Sequence, residues 1–245
     1  MRKLSSLLLL ALVFFSSSSV FAAGPNAQID SLYHRFVLLE GLWERDDAQY
    51  TQEAHSVGQL LDQFEQSAAA HWIGITRDRK IQLIEMNFKL AEFFAHQRNP
   101  KFKGYKRVLQ ESSIRLPEVS LEHLRWVEKF FGKYLDLVGK VLWIQEFENP
   151  LAVKAYYFRA TARSIIAEYE LDRFHELAGA TSQEKALFAR NLVTQFRMSS
   201  FEFQRALLLN QAFHLPFTIA EDLENTQALL LRARALQAQF PVNQE

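Results

Sequence analysis

The densest run of like charge in the sequence lies between His96 and Arg107. Arg98, Lys101, Lys103, Lys106 and Arg107 stand there with Phe102 and Tyr105 interleaved and no acidic residue among them. Such cations attract phosphate or carboxylate surfaces, and neighbouring aromatics can enter an interface or stack on a ligand. Lys101, Lys103, Lys106 and Arg107 are therefore the candidate anion-binding residues. The opposite bias occurs at Glu40, Glu44, Asp46, Asp47 and Glu53, an acidic corner expected where the first two helices meet.

The remaining chemistry-bearing residues form weaker patterns. A di-iron bundle wants Glu-x-x-His on two helices, and neither copy is present; Glu92 with His96 is spaced by four. Glu168, Asp172, His175 and Glu176 could share one helical face. Ligands from a second helix are missing, so that face reads as solvated and no metal and no cofactor is expected. Nucleophile searches fail as well. The chain has no cysteine, no Gly-x-Ser-x-Gly, no phosphate-binding glycine loop and no His-Glu-x-x-His. Helix-face arginines leave one enzymatic alternative open: a small secreted all-helical enzyme of the mutase or lyase type, with an Arg/Lys/Glu cage inside the bundle.

The elements that must carry these residues are helices. Apolar residues recur at alternating steps of three and four: Ile29–Leu32–Phe36–Leu39, Ala54–Val57–Leu61–Phe64, Ile81–Ile84–Phe88–Ala91–Ala95, Leu124–Val127–Phe131–Leu135–Val138, Val153–Tyr156–Ala160–Ala167–Leu171, Leu192–Phe196–Ser199–Phe203–Ala206 and Ile219–Leu223–Leu230. That spacing keeps each set on one face of a 3.6-residue helix. Prolines fall only between the segments, where they cost no helical hydrogen bond. The pattern predicts helices over about 27–43, 47–71, 77–98, 118–147, 150–178, 182–214 and 218–239. Asn149-Pro150 reads as a cap with proline at the first helical position. Thr181 with Glu184 and Thr218 with Glu221 read as capping boxes, and Gly179 as a left-handed exit. Trp126, Phe130, Tyr134, Leu137 and Val141 make the fourth segment apolar on a second side, so it is expected to be the central helix. The fold class expected is all-α, a single bundle of about seven helices with mostly antiparallel neighbours.

The N-terminus reads as a targeting leader. Arg2 and Lys3 precede an apolar stretch from Leu4 to Phe15, and Val20 and Ala22 form a small-residue exit, so residues 1–22 are expected to be a cleaved signal peptide and 23–245 the helical domain. Losing Arg2 and Lys3 from a balanced 28 basic and 28 acidic residues leaves a charge of about −2, which argues against nucleic acid as a partner. No later stretch approaches about 18 consecutive apolar residues, so no transmembrane segment is expected after cleavage. The leading expectation is an exported, non-enzymatic binding protein of the periplasm or extracellular space, whose partner is a protein or an anionic envelope surface.

Overall fold

The computed structural model describes residues 24–40, 48–68, 72–96 and 118–240. The leader and the Lys101, Lys103, Lys106 and Arg107 patch lie outside the described residues. Among the described residues the chain is all-α: α1 Pro25–Glu40, α2 Ala48–Ala68, α3 Arg77–His96, α4 Glu118–Leu137, α5 Pro150–Asp172, α6 Ser182–Phe213 and α7 Ile219–Ala238. Two compact units are formed, Met1–Met86 and Asn87–Glu245, and the division falls within α3.

In the first unit α1 packs on α2 through the expected stripes, with Ile29, Leu32, Phe36, Ala54, Val57 and Leu61 all buried. Arg35 pairs with Glu53 at 2.5 Å and Arg79 with Asp30 at 2.6 Å. Glu53, one member of the expected acidic corner, is thus held by a cation of α1.

In the second unit α4, α5, α6 and α7 pack each on the next, and α5 also meets α7. The C-terminal half of α3 joins α4 through aromatic edges: Phe88 lies 5.5 Å from Phe131 and Phe94 lies 4.8 Å from Trp126, both near-perpendicular. The central helix is α5, not the fourth helix as the apolar pattern suggested. It buries Ala152, Ala155, Ala160, Ala162 and Ala167 beside Val153, Phe158, Ile165 and Ile166. Small side chains all round allow neighbours to approach from several directions, so a helix with little amphipathic contrast becomes the one most enclosed. Two of its polar groups pair with α7: the Tyr157 hydroxyl donates to Asp222 Oδ2 at 2.7 Å, and Ser164 and Thr226 hydroxyls pair at 3.0 Å.

Several helix ends differ from expectation for identifiable reasons. Asn149 caps α5 as expected, its Oδ1 accepting from Leu151 N at 3.0 Å while Nδ2 donates to the Tyr134 hydroxyl at 2.9 Å. The Thr181–Glu184 capping box forms in both directions. Thr218 makes no side-chain cap; its hydroxyl donates to Asp222 Oδ2 at 3.0 Å instead. α5 stops at Asp172 rather than near 178, and a 3₁₀ turn, Phe174–Leu177, follows. Arg173 N still donates to Tyr169 O in the α pattern, and Glu176 N then donates to Arg173 O at 2.9 Å, the tighter three-residue step of the 3₁₀ turn. Gly179 is not left-handed. α4 ends at Leu137 and passes into a π-helical turn, Val138–Leu142, which keeps Val138 and Val141 buried before Trp143 reverses the chain.

Candidate functional site

Two features of the second unit could carry function, one inside and one outside.

The inner feature is a row of charges between α4, α5 and α6. Arg163 is almost fully buried on α5. Its Nη2 and Nε donate to Glu128 Oε1 of α4 at 2.6 and 3.0 Å, and its Nη1 lies 2.9 Å from Glu202 Oε1 of α6. Arg159, one turn earlier, approaches the same Glu202 oxygen at 3.1 Å. Gly132 of α4 lies beside it: a methyl group there would sit 3.4 Å from the Arg159 guanidinium carbon, an ordinary contact. Glu202 Oε2 and Arg159 Nε are buried without a hydrogen bond. Burial raises the Glu202 carboxyl above its ordinary value, against the opposite pull of Arg163 and Arg159. Burial alone would lower Arg163, but Glu202 and Glu128 outweigh it and hold that group charged.

The row continues outward. Glu146 Oε1 accepts from the Tyr156 hydroxyl at 2.7 Å, and Glu146 Oε2 accepts from Arg205 Nε and Nη2 at 2.8 and 2.6 Å. Burial, then the Glu146 bond, push the Tyr156 hydroxyl well up. The Arg205 guanidinium lies 5.1 Å from the Phe147 ring centre, a cation–π contact at the protein surface.

The outer feature begins there. Trp143 has φ 59° and ψ 18° and is 85% exposed; Ile144, Phe147 and Leu151 are exposed beside it in sequence. A bulky residue in the left-handed region costs roughly 1–2 kcal/mol, and here the strain presents an indole to solvent. Arg205 links this corner to α6, where Phe201 and Leu208 stand one turn to either side of it. Leu187, Met198, Phe201 and Leu208 are exposed along that outer face, Phe201 by 66%. Arg190 and Arg197 lie on it too, and among the described residues no carboxylate pairs with either. From Lys185 to Phe213 the only acidic residue is Glu202, which faces inward.

Relieving the strain at the corner gives a first expected result. Trp143→Gly should leave stability unchanged or raise it by about 0.5–1 kcal/mol, because glycine enters the left-handed region freely and little buried area is lost. Denaturant melts of the two proteins check this; a loss above 1 kcal/mol would mean that the indole is structural.

The face suggested by Glu168, Asp172, His175 and Glu176 is divided by the end of α5. Glu176 pairs with Arg173 at 2.6 Å, Asp172 lies 3.5 Å from Arg232, and His175 Nδ1 contacts Asp172 O at 2.9 Å. These last residues edge an open cleft of about 430 Å³ between the end of α5 and α7. Among the described residues no group of three or more His, Cys, Asp or Glu is placed to hold a metal ion, and no helix is long and apolar enough to cross a membrane. No family model, curated protein or solved structure matches the chain.

Proposed function

We propose that the chain is an exported, non-enzymatic binding protein of the periplasm or extracellular space, and that it works through the outer face of α6 and the Trp143–Phe147 corner. The observation that carries this is the composition of that face: exposed Leu187, Met198, Phe201 and Leu208 with Arg190 and Arg197 and no carboxylate. Large apolar side chains exposed beside cations mark interaction sites more often than a wholly polar helix face does. Export is supported by the Arg2-Lys3 leader with its Val20-x-Ala22 exit.

The test is made in cells. The exported protein should begin at Ala23 and fractionate with the envelope. A Met198→Ser/Phe201→Ser variant should be exported and helical but released to the soluble fraction. Unaltered envelope association of that variant would remove the α6 face from the function.

A second reading, the small helical enzyme of the mutase or lyase type, is favoured by Glu202 Oε2 and Arg159 Nε, which are buried without a hydrogen bond. The leading reading requires that Glu202→Gln leave envelope association intact, since Glu202 points away from the surface.

A further inference from the structure

We infer that the partner of this surface is an anionic lipid bilayer, with α6 lying along the headgroup layer and Trp143 and Phe147 entering at one end. The inference rests on the binding reading above and names what is bound. Three observations carry it: the charge of the face, the nature of its apolar side chains, and its continuity with the corner.

The charge selects the sign of the partner. Arg190 and Arg197 are seven residues apart, so they stand two turns apart on the same side of α6. Within α6 the only carboxylate after Glu184 is Glu202, held inside by Arg163 and Arg159. A second copy of this chain seated on the same α6 face would bring arginines against arginines with no acid of that helix to receive them; the adjoining corner holds Glu146, already paired with Arg205, and Glu148. The surface is therefore complementary to negative charge and not to itself.

The side chains select a bilayer among the anionic partners. Leu187, Met198, Phe201 and Leu208 stand on the outer face of one helix of 32 residues, about 48 Å long. A protein partner would have to supply a groove matched to their spacing. An interfacial layer accepts apolar groups in any register, and arginine stems are long enough to leave their heads at phosphate level while a phenyl ring sinks below. Tryptophan and phenylalanine suit the same layer, having an apolar body and, for the indole, a donor that stays wet. The Arg205–Phe147 contact makes corner and helix one surface.

The experiment is co-sedimentation of the full protein with phosphatidylcholine vesicles, with and without phosphatidylglycerol, at low and high salt. Wild type should sediment with the anionic vesicles only, and less at 1 M salt, where the Debye length falls to about 3 Å. Arg190→Gln/Arg197→Gln should need about 30-fold more lipid, roughly fivefold per charge. Met198→Ser/Phe201→Ser should lose binding at all lipid concentrations. Leu231→Ser, an exposed position of α7, should bind as wild type. Circular dichroism of each variant confirms equal helix content. Absence of sedimentation with anionic vesicles, or an undiminished Arg190→Gln/Arg197→Gln variant, overturns the inference. Binding to soluble polyglutamate but not to vesicles would also overturn it, in favour of an acidic protein partner, and would leave the binding reading standing. Envelope association that survives Met198→Ser/Phe201→Ser removes the binding reading itself.

Discussion

Glu202→Ala should destabilise the protein by on the order of 3–5 kcal/mol, the range for removing one partner from a buried ion pair. Arg163 and Arg159 meet at a single oxygen of this carboxylate, at 2.9 and 3.1 Å, and Arg163 is almost fully enclosed. Without Glu202, Arg163 keeps Glu128 but its enclosed Nη1 loses its carboxylate partner. Glu202→Gln should cost less, because its amide oxygen can still accept from either guanidinium. Arg163→Met/Glu202→Met should also cost less than the sum of its single changes, since it removes both buried charges together while Glu128 and Arg159, each partly exposed, can turn toward water. Urea titration of the four proteins measures all of this. A Glu202→Ala cost below 1 kcal/mol would mean that the row is hydrated rather than dry.

The same carboxylate has a characteristic pH signature. Its folded value is raised above the ordinary 4.5, so the folded state holds this proton to higher pH than the unfolded chain does. Stability from this group is therefore greatest below 4.5 and is lost as pH rises from there through the folded value. Relative to Glu202→Gln, wild type should weaken with rising pH across that window. The opposite slope would show that the two arginines, not burial, dominate the site.

Phe131→Ala should cost about 3–5 kcal/mol, whereas Leu135→Ala, one turn later on the same helix, should cost less than about 2 kcal/mol. Phe131 is fully buried and touches rings from two other helices: Phe88 of α3 at 5.5 Å and Phe158 of α5 at 6.0 Å. No neighbour can refill that volume without leaving its own contacts. Leu135 is only half-buried, so water replaces part of what truncation removes. Equal losses at the two positions would place Leu135 in the core and rotate α4 from its observed orientation.

The contrast shows where the sequence was readable. Stripe spacing and proline placement located all seven helices to within a few residues at most ends, because a buried face must repeat every 3.6 residues and proline cannot sit inside. Rank within the bundle was not readable from apolar richness. α4 carries the large aromatics, yet α5 is more enclosed, its alanines being too small to stand out as a core face. The inner charges left a trace that could have been used. The α5 stripe skips from Ala160 to Ala167, and the residues on that face in the gap are Arg163 and Ser164. Glu202 likewise falls between Ser199 and Ala206 on the buried side of α6. A charge where a stripe demands an apolar residue is the signal of an internal ion pair. Trp143 left no such trace, since a left-handed tryptophan depends on how the π-helical turn before it ends. The outer face of α6 was hidden because attention to the buried stripe treats the opposite side as background.

The order of packing in the second unit bears on how the chain reaches this structure. α4, α5, α6 and α7 each lie against the next helix in sequence, across connections of no more than about a dozen residues. Contacts of that kind close short loops and make for rapid folding. As the chain lengthens during synthesis, α5 is complete before α6 and α7, the two later helices that cover it. Each arriving helix therefore finds its docking partner already made, and little apolar surface waits long for a distant match.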